Sequence, residues 1–160
     1  MVTLVFALGV KGCESKTEHR TAAPSKPAPA VQTQEPQVTI EAGAGLLRIP
    51  VELATTHAQR QQGLMYRRDL KKGTGMLFIF EQQRVHRFWM KNTYIPLDMI
   101  FIGEDMTIAG IVHRATPETE TARFVERPSR YVLEVNGGFA KAKGITPGDR
   151  VVFEGLTRPL

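Results

Sequence analysis

The chain has 160 residues, 21 Lys/Arg against 16 Asp/Glu, a net charge of +5 and one cysteine. That length suits one domain and not two, and a single cysteine excludes an intramolecular disulfide framework. The longest apolar run, residues 1–10, falls short of the roughly 20 residues that a bilayer-spanning helix needs, which excludes a multi-span membrane protein.

The composition divides the chain into three parts. Residues 1–10 carry no charge, and Cys13 follows Val10-Lys11-Gly12. Residues 14–36 are polar and contain Pro24, Pro27, Pro29 and Pro36, with no aromatic residue between Gly12 and Val38. Such a segment cannot bury enough apolar surface to offset its ordering entropy, so 14–36 is expected to be a disordered tether and 37–160 a single globular domain. Residues 1–13 resemble a bacterial lipoprotein signal, with Val10 and Gly12 at the minus-three and minus-one positions and Cys13 as the lipidated residue. That resemblance implies a lipid-anchored protein of the bacterial cell envelope, facing the periplasm or the exterior. The plainer alternative is an apolar N-terminus with an incidental cysteine.

Strand-like runs dominate the rest. In chain order they are 37–41, 46–53, 75–80, 85–90, 97–102, 106–112, 130–135 and 150–154. They are rich in Val, Ile, Phe and Tyr and are bounded by Gly, Pro, Asn or Asp. Thr55 or Thr56 can N-cap a short helix over 57–62 that stops at Gly63. A second short helix, 138–143, stops at Gly144. Gly103-Glu-Asp-Met reads as a hairpin turn, and 114–129 as a long loop beside the sheet. The expected fold is mainly β: an antiparallel sandwich or partly closed barrel of about eight short strands with one or two short helices.

The runs Gly63-Leu-Met-Tyr-Arg, Gly75-Met-Leu-Phe-x-Phe and Phe88-Trp-Met-Lys-Asn-Thr-x-Ile-Pro-Leu-Asp resemble the domain of unknown function 192 family, also called uncharacterised protein family 127. Val132-Leu-Glu-Val-Asn-Gly-Gly and Ile145-Thr-Pro-Gly-Asp-Arg-Val extend the resemblance over most of 46–155. It implies a compact, mainly β domain, often exported or lipid-anchored, and no established activity.

Function must therefore be read from the residues. Pro96 cannot donate to a ladder, so 92–96 is a turn or edge segment, and Asn92 tolerates a left-handed backbone there. Phe88 and Trp89 offer an aromatic wall beside Lys91, Asn92, Thr93 and Asp98, the usual make-up of a ligand site. These six residues are the candidate binding site for a small ligand or an envelope protein partner. The alternative is a structural turn. Asp98 lies in an apolar strand. Facing outward it is unremarkable, and facing inward it needs a partner, for which Lys91 is the nearest candidate.

Asp98 is also the one candidate acid or base if the protein is an enzyme acting on a cell-wall glycan or peptide. No second carboxylate stands at a glycosidase spacing. The serines, Ser15, Ser25 and Ser129, form no nucleophile elbow, and there is no P-loop or dinucleotide fingerprint. No cofactor is expected. A third reading is a copper module using His86 and Met90 with Met65 and Met76, since thioethers and imidazole suit Cu(I).

Between Arg60 and Lys91 eight cations (Arg60, Arg67, Arg68, Lys71, Lys72, Arg84, Arg87, Lys91) face two acids, Asp69 and Glu81. This stretch is either a solvated surface or a face for an anionic partner. Export would disfavour nucleic acid, and the aromatic platform of RNA-binding sheets is missing. A helix starting at Gly138 would aim free N–H groups outward, where an anion could dock; a purely structural turn is the other reading.

Overall fold

The computed structural model describes residues 35–43 and 45–156. Cys13 and residues 14–34 of the expected tether lie outside these residues, while its last residue, Pro36, accepts the amide of Val51 at 2.9 Å. Seven strands form one sheet: β1 (Gln37–Ala42), β2 (Gly45–Ala54), β3 (Gly75–Arg84), β4 (Leu97–Ile102), β5 (Ile108–Ala115), β6 (Ser129–Asn136) and β7 (Arg150–Glu154). Two short helices, α1 (His57–Gln62) and α2 (Phe139–Lys143), complete the elements. The strand order is β5-β4-β6-β3-β2-β1-β7, and the sheet curls into a half-barrel.

The curl brings the two outer strands together at one end. Ile108 N donates to Asp149 O at 3.0 Å and Val151 N to Met106 O at 2.9 Å, around a Thr107–Arg150 bridge. The fold is thus mainly β and partly closed, as the strand pattern predicts. One pairing departs from the antiparallel expectation: β2 and β3 run parallel, Val51 beside Gly75 through Ala54 beside Phe78. A parallel pair needs a crossover, and residues 55–74, which contain α1, supply it.

The described strands number seven because the run 85–90 is not one of them. Its β-bridge is at Phe88, which exchanges two backbone hydrogen bonds with Arg123 at 2.9 and 2.7 Å. Met90 N then donates to Thr119 O at 2.8 Å, and Glu118 N to Thr93 O at 3.1 Å. The long polar loop after β5 therefore serves as a backrest for 88–93, satisfying backbone groups that a sheet ladder would otherwise claim.

Local signals hold at both helices. Thr56 N-caps α1 in a capping box with Gln59, and Gly63 ends it with φ of 47°. Gly144 ends α2 in the left-handed region, and Lys141 and Lys143 sit in its last turn, where the helix dipole favours them.

The sheet has apolar packing on both faces. Val38, Ile40, Leu77, Ile100 and Leu133 belong to one buried cluster. Phe78, Met90, Leu97, Met99, Phe101 and Val132 belong to the other. Every residue of β4 is buried, so alternation there does not separate an inner from an outer face. No helix among the described residues is long and apolar enough to cross a membrane.

Candidate functional site

The Trp-Met-Lys-Asn-Thr turn distributes its polar groups among several partners. Lys91 Nζ lies 3.3 Å from Glu120 Oε1 on the backrest loop. Asn92 has φ of 54°; its Nδ2 donates to Tyr66 Oη at 2.9 Å, and its carbonyl accepts from Tyr66 N at 2.7 Å. Thr93 is buried, and its hydroxyl donates to Lys91 O at 3.3 Å.

Asp98 is fully buried and faces none of these groups. Its Oδ1 accepts from Arg114 N and Gly138 N, and its Oδ2 from Ala140 N, all at 2.8 Å. The expected Lys91–Asp98 pair does not form, because backbone amides already fill the carboxylate. Two of those amides belong to the start of α2. The anion that the Gly137-Gly138 turn could accept is the protein's own Asp98.

A cavity of about 490 Å³ opens between α1 and the 84–93 segment. Phe88, Trp89 and Thr93 of the predicted six residues border it, whereas Lys91, Asn92 and Asp98 do not. Its wall is aromatic. The Phe88 ring meets Phe78 edge-to-face at 5.1 Å and packs on Phe101 at 5.9 Å. His86 stacks on Phe80 at 3.6 Å between centroids, and the Arg60 guanidinium lies 5.3 Å from the same Phe80 ring. Arg60 is held there by Thr55 O at 2.5 Å and Ile79 O at 2.9 Å. Gly63 allows α1 to end against this wall, since a Cβ on it would stand 3.1 Å from Phe78 Cζ.

The cavity's most consequential group is Glu134, which the reading of the sequence did not single out. It sits mid-way along β6, a central strand, opposite Met76 on β3 and Met99 on β4. It is 4% exposed and borders the cavity. Among the described residues no hydrogen bond or ion pair reaches its carboxyl. Burial pushes its pKa up to about 8, so at neutral pH it is a neutral acid able to donate one hydrogen bond. The signal was a lone carboxyl inside Tyr131-Val-Leu-Glu-Val, a run that is otherwise apolar.

His86 borders the same cavity, is 5% exposed, and has Nε2 3.3 Å from Gln82 O. Burial lowers its pKa, with Arg84 and Arg60 acting in the same direction. The copper candidates separate: His86 and Met65 border the cavity, while Met76 and Met90 are packed in the core. The described residues contain no group of three or more His, Cys, Asp or Glu able to hold a metal. The cationic run separates too. Arg60, Arg84 and Arg87 border the cavity. Arg67 instead makes a two-point pair with Glu52 at 2.5 and 2.6 Å, which raises its pKa and lowers that of Glu52 through the shared hydrogen bonds.

Two solved structures share the fold and much of the sequence. A proposed transcription regulator from Sinorhizobium meliloti is 45% identical with a TM-score of 0.72, covering 76% of this chain and 95% of its own. A protein of unknown function from Novosphingobium aromaticivorans is 39% identical with a TM-score of 0.72, covering 88% of this chain and 99% of its own. No curated protein matches this chain. The model of the DUF192 family, described as uncharacterised ACR, matches residues 38–153, and the chain belongs to that family.

Proposed function

We propose that this domain binds a small organic ligand in the cavity between α1 and the 84–93 segment, and that it does so as a lipid-anchored protein of the bacterial cell envelope. The observation that carries the binding reading is Glu134. A carboxyl largely withdrawn from water with no protein hydrogen-bond partner is costly, and this one keeps its access through an aromatic-walled cavity where a ligand atom could satisfy it. The ligand that fits presents a flat apolar body to Phe80, Phe88 and Trp89, a hydrogen-bond acceptor to the Glu134 proton, and an anionic group to Arg84 or Arg87. The envelope part of the reading is supported by the sequence around Cys13.

A second reading, acid–base catalysis, is favoured at the same residue. The oxygens of Asp98 are taken by three amides, whereas the Glu134 proton has a pKa of about 8, close to neutral working pH. A nucleic-acid reading, which the description of the Sinorhizobium protein would suggest, finds little support: the described helices have six and five residues, short for reading a groove.

The test is a thermal-shift screen of the full chain against planar carboxylates, phosphates and cell-wall fragments. A true ligand at a hundredfold excess over its Kd adds about 2.7 kcal/mol of stability. The shift should vanish in Glu134→Leu, which removes the hydrogen-bond donor, and persist in Lys91→Gln. A ligand that stabilises wild type and Glu134→Leu alike would overturn the assignment.

A further inference from the structure

Seven large hydrophobic side chains stand exposed among the described residues, and five of them gather at one place. Val85, Trp89 and Tyr94 lie on the 85–94 segment, at 36%, 52% and 40% exposure. Tyr66 is tied to that segment through both hydrogen bonds to Asn92, and Phe124 lies under the Arg87 guanidinium at 4.2 Å. Three of the rings carry a cation: Arg87 on Phe124, Arg68 on Tyr94 at 5.7 Å, and Lys91 on Trp89 at 5.8 Å. The nearby acids are Glu120, which pairs with Lys91, Glu118, whose amide donates to Thr93 O, Glu126, two residues from Phe124, and Asp69, next to Arg68. Over the whole stretch from Arg60 to Lys91 cations outnumber acids eight to two.

Exposed amphipathic rings interleaved with cations match one kind of partner by chemistry. At a bilayer surface, Trp and Tyr rings settle at the headgroup level, and each nearby Lys or Arg attracts anionic headgroups. A soluble polyanion would satisfy the cations and leave the rings wet. We propose that the 85–94 segment, with Tyr66 and Phe124, docks on an anionic lipid surface. Val85, Arg87 and Trp89 also border the cavity, so this docking turns the cavity mouth toward the lipid. An acyl anchor at Cys13 would raise the local concentration of that surface, but the docking face is complete without it and does not depend on what the cavity binds.

The experiment uses the full chain carrying Cys13→Ser, without lipid, and vesicles of phosphatidylglycerol and phosphatidylcholine in equal parts or of phosphatidylcholine alone. Binding is read by co-sedimentation and by the emission of Trp89, the single tryptophan of the chain. The expected result is sedimentation with the anionic vesicles only, a blue shift of Trp89, and weakening by salt. Lys91→Gln and Arg68→Gln should each weaken binding about fivefold. Phe124→Ser should weaken it as well, while Lys141→Gln and Lys143→Gln on α2 should leave it unchanged. Far-ultraviolet circular dichroism melts identify any variant that fails to fold, and the remaining surface variants carry the test.

Four results would overturn the proposal: no sedimentation with anionic vesicles, sedimentation with unchanged Trp89 emission, equal losses from the α2 lysines, or equal affinity for dextran sulfate in solution. Glu134→Leu separates the two readings, since it removes the donor in the cavity and should abolish ligand binding there while leaving vesicle binding intact.

Discussion

Asp98 Oδ2 accepts the amide of Ala140 at 2.8 Å, while its Oδ1 takes the amides of Gly138 and Arg114 at the same distance. One carboxylate on β4 thereby pins the first turn of α2 and the end of β5. Negative charge at a helix start is favourable, and buried amides without acceptors are costly.

Asp98→Ala should therefore destabilise the domain by roughly 3–5 kcal/mol, since three amides lose a charged acceptor and two of them open α2, where Ala140 is buried. Asp98→Asn keeps one carbonyl oxygen and should cost about half as much. Urea denaturation measures both. A loss below about 1 kcal/mol for Asp98→Ala would mean that water replaces the carboxylate.

Glu134 makes stability depend on pH with a definite sign. Its pKa rises from the ordinary 4.5 to about 8 in the folded protein. Below pH 4.5 both folded and unfolded states hold the proton. Between 4.5 and 8 the unfolded state releases it and the folded state retains it, so stability falls as pH rises, by at most about 1.4 kcal/mol per pH unit. Glu134→Gln should flatten that window and be the more stable protein at its upper end. Denaturant melts across the window check it; parallel curves for the two proteins would mean that Glu134 ionises freely.

His86 acts with the opposite sign. Its pKa is lowered by burial, so as pH falls through the ordinary imidazole value the unfolded state gains a proton that the folded state refuses. Stability contributed by neutral His86 is lost on the acid side. His86→Phe keeps the stack on Phe80 and should remove that acid loss. An NMR titration of the imidazole provides the independent check: protonation at the free-histidine value would contradict the buried, neutral ring.

Gly63→Ala should cost about 1–3 kcal/mol. Its φ of 47° belongs to the region that glycine favours, and a Cβ would press on Phe78 Cζ at 3.1 Å. Because Phe78 carries the Phe88 wall, the substitution should also weaken cavity ligands found in the thermal-shift screen. Gly73→Ala, with φ of 78° and open space around its Cβ, isolates the backbone cost alone. Equal losses at both positions would remove the packing argument.

Local properties of this protein were legible in its residues. Runs rich in Val, Ile, Phe and Tyr, bounded by turn residues, marked the strands, Thr56 and Gly63 marked the limits of α1, and the Trp-Met-Lys-Asn-Thr and Pro-Leu-Asp motifs marked the family. These features depend on neighbours a few residues away, which a sequence displays directly. The tertiary structure decided what faces what. Asp98 meets amides 16 to 42 residues away rather than Lys91, and Lys91 turns to Glu120. The run 85–90 reads as a strand because Phe88, Trp89 and Met90 have strand propensity, yet a polar loop supplies its hydrogen bonds. Glu134 reads as one more residue of a strand until β3 and β4 close on both sides and leave its carboxyl at the edge of a cavity. A charge in an apolar run signals that some partner is needed. Which partner it meets is set by strand order and register, through contacts between residues far apart in the chain that no local pattern encodes.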